Sequence, residues 1–139
     1  MRFVTTAALI GAMWIPSARL SADQAPPECT RFLGEWSTNE WDEPNSRATA
    51  ISVKSVRKQE STCIAEVRYV WGEKGDSKLV KEAGFLDVSD STIEGNVLTV
   101  PLTKYQARAK FTYDTTSTLK ATWKRDGFSK TLNAIFKKK

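Results

Sequence analysis

Cys29-Thr30-Arg31-Phe32-Leu33-Gly34-Glu35-Trp36 is the stretch from which the fold is read. It holds one of only two cysteines and a Gly-x-Trp triplet where a first strand, Thr30 to Thr38, should begin. The clearest strand of the chain sets the class. Tyr105, Ala107, Ala109, Phe111 and Tyr113 alternate with Gln106, Arg108, Lys110 and Thr112. Period-two alternation of apolar and polar residues marks a strand buried on one side.

The same pattern recurs along the chain. Thr49, Ile51 and Val53 alternate within Arg47 to Val56. Cys63, Ala65, Val67, Tyr69 and Trp71 share one face of a third strand, which Gly72-Glu73-Lys74-Gly75-Asp76 ends. A fourth, irregular strand spans Leu79 to Val88, with Gly84 read as a bulge. Gly95-Asn96 is read as a hairpin turn between a short Asp90–Glu94 piece and Val97–Leu102. Leu119, Ala121 and Trp123 share a face, as do Leu132, Ala134 and Phe136, and Asp126-Gly127 between them is a type I′ signal. No segment has helical period or caps.

About eight strands joined mostly by short turns predict an all-β fold, an antiparallel eight-stranded up-and-down β-barrel. Closure removes the exposed edges that an open sheet would present. A two-sheet sandwich is the alternative.

The N-terminus reads as a targeting segment. Met1-Arg2 precedes an apolar run from Phe3 to Ile15, broken by Pro16-Ser17-Ala18, and small residues stand at Ala18 and Ala22. This is the layout of a cleaved secretory signal peptide. The expected organisation is a signal peptide over 1–22, an extended leader over 23–29, the barrel over 30–136 and a basic tail over 137–139. Ala18 is the other candidate cleavage site. A periplasmic or secreted location is expected, with no transmembrane segment in the mature chain. Removing Arg2 and Arg19 takes the 21 basic residues to 19 against 16 acidic ones, so the formal +5 becomes +3.

An even cysteine count in an exported chain reads as a disulfide. Cys29–Cys63 would close a loop of about 35 residues, worth about 3.8 kcal/mol by loss of unfolded-state entropy.

Gly34-Glu35-Trp36, with seven more short strands after it, resembles the calycin pattern of lipocalins and avidins. The wider spacing is similar to small exported bacterial domains: Leu33-Gly34-Glu35-Trp36, Ile51-Ser52-Val53, Tyr69-Val70-Trp71-Gly72 and Leu119-Lys120-Ala121-Thr122-Trp123. The resemblance implies that Gly34 and Trp36 close one end of the barrel, with a late basic residue over the Trp36 ring. Lys124, Arg125, Lys130 and Lys137 are the candidates for it. The domains it resembles imply an accessory or binding role. Ser37-Thr38-Asn39 is out of step with the avidin biotin cluster, so biotin is not predicted.

The chain has no histidine, which excludes Ser-His-Asp and Cys-His catalysis and His-ligated zinc. Glu35, Glu66, Asp87 and Glu94 are the strand-borne carboxylates, read as solvated outer-face groups. No phosphate loop, dinucleotide fingerprint or calcium loop occurs. The expectation is a non-enzymatic protein without cofactor or metal.

The aromatics are the recognition candidates. Tyr69, Trp71, Tyr105, Tyr113 and Trp123 are expected to line a cup for a small apolar ligand, while Trp36 and Phe111 fill the core. Trp41, in a polar loop, is read as a lid or a surface staple. The competing reading is a filled barrel that contacts a protein or an anionic envelope polymer through a basic stripe of Arg108, Lys110, Lys120, Lys124 and Lys130. Nucleic acid is not expected as a partner, because these basic residues and the aromatics fall on opposite faces.

Overall fold

The computed structural model describes residues 25–44, 46–75 and 78–139; the expected signal peptide lies outside them. Eight strands form a closed antiparallel up-and-down barrel. They are β1 (Gly34–Thr38), β2 (Ala48–Gln59), β3 (Thr62–Gly75), β4 (Lys78–Glu94), β5 (Val97–Leu102), β6 (Ala107–Thr115), β7 (Thr118–Arg125) and β8 (Thr131–Lys138). Each strand pairs with its chain neighbour, and β1 pairs with β8. The sandwich alternative is thereby excluded.

The alternating residues face where their period places them. Thr49, Ile51, Val53, Ala65, Val67, Ala109, Phe111, Leu119 and Phe136 are buried inside the wall. The interior packs edge to face, with the Phe111 and Phe136 centroids 5.0 Å apart.

Four local expectations are corrected. First, the leader is not extended throughout: Pro27–Thr30 forms one helical turn, α1. Proline is excluded from a helix interior but suits the first position, where no N–H is needed. Pro26, extended at ψ 160°, precedes it, and its carbonyl accepts from the Cys29 and Thr30 amides. Second, Asp90–Glu94 is the end of one long β4, which bends where the register jumps from Val67↔Val88 to Ala65↔Ser91. β4 meets β5 only at Thr92, Ile93 and Glu94. Third, Asp126-Gly127 is not a two-residue hairpin turn. The register begins at Lys124↔Thr131, and only Gly127 has positive φ (84°), whereas type I′ needs it at both central residues. Asp126 instead donates its amide to the Gln106 carbonyl at 2.7 Å. Fourth, Tyr105 does not start β6; it sits in a 3-10 turn, Thr103–Tyr105, that Gln106 ends in the left-handed region.

Lys137 and Lys138 belong to the barrel, not to a basic tail beyond it. β8 continues through Lys138, which pairs with Trp36. The basic partner of the Trp36 ring is therefore Lys138, not one of the four candidates. Its Nζ lies 4.7 Å from the ring and donates to the Leu33 carbonyl at 2.8 Å. The lysine stem crosses Gly34, where a Cβ would stand 3.1 Å from Lys138 Cε. Gly34 also has φ +115°, a conformation that favours glycine. Trp36, fully buried, donates its indole N–H to the Phe32 carbonyl at 2.9 Å. Phe32 and α1 plug this end, and the Cys29–Cys63 disulfide, with Cα atoms 6.5 Å apart, ties the plug to the start of β3.

Candidate ligand-binding cup

At the end opposite α1 the inward rows stop short of meeting, leaving a cavity of about 510 Å³. Its wall comprises Thr49 on β2, Tyr69 and Trp71 on β3, Leu102 on β5, Trp123 on β7 and Leu132 on β8, with Tyr105 beside them. Of the five expected ligand-lining residues, four therefore share one cavity.

Tyr113 does not join them. It lies at the plugged end, paired with Leu119. Its ring meets Phe32 edge to face at 5.7 Å, and the Arg31 guanidinium covers it at 4.2 Å. Phase places Tyr113 inside, but its position past Phe111 puts it at the wrong end.

The aromatic wall is braced. Trp71 meets Tyr105 at 5.4 Å and 89°, and Tyr69 at 6.2 Å. The Trp71 ring lies over Gly84, where a Cβ would stand 2.5 Å from Cζ2. Gly84 is thus the residue that makes room for the tryptophan, and the extra residue of the bulge is its neighbour Ala83, since the register runs from Trp71↔Gly84 to Gly72↔Glu82. Burial pushes the Tyr69 phenol well above its usual range, and the neighbouring Thr49 side chain opposes the shift. The phenol remains neutral and keeps its O–H.

Trp41 is not a surface staple. It is 6% exposed, lines the cavity and reaches the Phe136 ring at 5.5 Å. Its indole N–H donates to the Thr49 hydroxyl at 3.0 Å. The β1–β2 loop is latched to β8 to hold it there. The Asp42 carboxylate accepts from the Asn133 backbone amide at 2.8 Å and from its side-chain amide at 3.1 Å, while the Asp42 amide donates to the Asn133 carbonyl at 2.9 Å.

Those two donors hold the Asp42 carboxyl below the usual aspartate value of 3.8. A depressed folded pKa means the latch contributes fully above the ordinary aspartate range and is lost as pH falls through the lower folded value. The expected result is an acid transition in the Asn133 amide resonance below pH 3.8. It should vanish in Asp42→Ala, whose Asn133 amide should already exchange freely at neutral pH.

Sequence reading did not assign Arg47, Arg125 or Glu43 to the cup, which all three line. The signal for both arginines was present in the period. Arg47 stands two residues before Thr49 and Arg125 two after Trp123, so both extend inward-facing rows to the mouth. Glu43 is paired with Lys130 at 2.8 Å, which removes Lys130 from the outer basic stripe. Of the strand carboxylates, Glu66 and Asp87 border one cleft with Lys54, where Glu66 accepts from Ser55 and Asp87 is held by Arg68 through two hydrogen bonds; Glu35 lies 3.5 Å from Lys139.

Among the described residues, no helix is long and apolar enough to cross a membrane. No protein-family model matches this chain, and no curated protein or solved structure is significantly similar to it.

Proposed function

We propose that this protein is an exported, non-enzymatic barrel of calycin-like architecture that binds a small, largely apolar ligand in the aromatic cup. The observation that carries the reading is the cavity itself. About 510 Å³ falls within the range of about 300–1,000 Å³ usual for small-molecule sites, and a filled barrel would leave no such space. The Gly34, Trp36 and Lys138 closure supports the calycin likeness. The apolar N-terminal segment over 1–22 and the disulfide support export.

The test is titration of the oxidised protein with N-phenyl-1-naphthylamine, a neutral apolar fluorophore. Saturable binding is expected, weakened about tenfold by Trp123→Ala, the size of losing one aromatic contact. Trp71→Phe and Trp123→Phe should each remove part of the tryptophan quenching. If no saturable change occurs, the aromatics serve packing alone and the reading fails.

A second reading rests on the outer face. Arg108 stands directly opposite Lys124, with Lys110 and Lys120 on the same pair of strands, and all four are exposed. Like charges across a strand pair destabilise a sheet, so an anionic polymer would relieve them. Retention on immobilised heparin that falls sharply in Arg108→Gln/Lys124→Gln would favour it.

A further inference from the structure

We infer that the cup takes an anionic amphiphile: an apolar body among Trp41, Trp71, Tyr105 and Trp123, and a single carboxylate, sulfate or phosphate held at the mouth by Arg47 and Arg125. The inference rests on the ligand-binding reading and adds the chemical class of the ligand.

The argument is one of charge balance at the mouth. The cup lining carries three charged side chains, Glu43, Arg47 and Arg125. Glu43 is neutralised by Lys130 at 2.8 Å. Among the described residues, neither arginine forms an ion pair, whereas Glu40, Glu43 and Asp87 are each paired at 2.8–3.0 Å. Arg125 rests against the exposed Phe128 ring at 5.2 Å. Arg47 also borders an adjoining cleft with Glu73, Lys74, Lys81 and Glu82; Lys74 is paired with Glu40 at 3.0 Å, so Lys81 and Arg47 together balance the two carboxylates there. The mouth is thus left with one positive charge in excess, which suits a single anionic head group, with Arg47 and Arg125 both on the cup lining.

Position makes that excess specific. Arg47 precedes β2 and Arg125 ends β7, so the two flank the β1–β8 seam over which the latched loop lies. Guanidinium stays charged at any working pH and offers a planar fork of donors that fits an oxyanion. Below the mouth, the lining is aromatic and aliphatic, and its one phenol shifted by burial, Tyr69, stays neutral. A neutral apolar ligand would make no use of the two guanidinium groups, which would stay hydrated. A free inorganic anion would leave the aromatic wall in water.

The test compares two fluorophores with the same apolar body, 8-anilinonaphthalene-1-sulfonate and the neutral N-phenyl-1-naphthylamine. The full oxidised chain and its Arg47→Gln/Arg125→Gln variant are titrated with each. The expected result is at least a tenfold loss of sulfonate affinity in the variant, with less than a twofold change for the neutral probe. Neutral-probe binding also verifies that the variant is folded. Rising ionic strength should weaken only the sulfonate. Equal losses for both probes, or no loss for either, would overturn the inference and leave the cup standing. Displacement of the sulfonate by inorganic sulfate at micromolar concentration would also overturn it, since the anion alone would then suffice. Failure of both probes to bind the unmodified protein is a different result, and it removes the cup.

Discussion

Replacing both bridge cysteines, Cys29→Ser/Cys63→Ser, is expected to lower stability by about 4 kcal/mol, the loop-entropy value for a bridge of this span. The bridge spans 34 residues of sequence, and both cysteines are buried. It joins α1, a single turn with few hydrogen bonds of its own, to β3, which pairs along its length with β2 and β4. Without it the plug is held by Phe32 packing and by the indole bond of Trp36. In a domain of this size a loss of that order lowers Tm by roughly 15–25 °C. Urea unfolding of the oxidised, reduced and double-serine proteins measures it. A difference under about 1 kcal/mol would mean that the unfolded chain is already compact around this loop. The damage should be local to the plugged end, so the variant, kept well below its new Tm, should still bind a probe in the cup.

The second large effect is expected from deleting residues 137–139. Their composition resembles a solvated basic tail, but they complete the barrel. The β1–β8 register consists of Trp36↔Lys138 and Ser37↔Lys137. The Lys138 amide donates to the Ser117 carbonyl at 2.8 Å, and the Lys139 amide to the Glu35 carbonyl at 2.9 Å. Lys138 adds the cation–π contact with Trp36 and the bond to the Leu33 carbonyl. A charged donor to a carbonyl contributes about 1.5–3 kcal/mol, a backbone bond about 1 kcal/mol and a cation over a buried indole about 1–2 kcal/mol. After the entropy of ordering a chain end is set against them, a net loss of about 3–5 kcal/mol is expected. Lys138→Met, which keeps the stem over Gly34 but removes both the charge over Trp36 and the bond to the Leu33 carbonyl, should lose about 2–3 kcal/mol, and Lys138→Arg should retain most of it. If the deletion unfolds no more easily than the full chain in urea, the seam does not depend on these pairs.

The two effects have different origins. The disulfide acts through the unfolded chain and was readable from a cysteine count. The lysines act through pairing with a strand a hundred residues away, and composition alone pointed to a free tail. Trp41 shows the same contrast. It sits in a short polar loop, and only the Asp42–Asn133 latch reveals that the loop folds its tryptophan into the barrel. The arginines of the mouth lie between these cases. Their phase was legible in the row Arg47, Thr49, Ile51 and in the row Leu119, Ala121, Trp123, Arg125, but their balance of charge was not.

By itself, the sequence determined which side of the wall the alternating residues of β2, β3, β6, β7 and β8 face, the number of strands, the pairing of the two cysteines and the glycine before Trp36. All of these come from local alternation or from a small count of residues, and alternation is a property of a single strand. Tertiary structure decided how far along the barrel axis each inward residue lies. That separated Tyr113, at the plug, from Tyr69, Trp71, Tyr105 and Trp123, at the cup, and it chose Lys138 as the partner of Trp36. Position along the axis is set by register between strands that are distant in sequence, and a one-residue slip in any pair would reassign it.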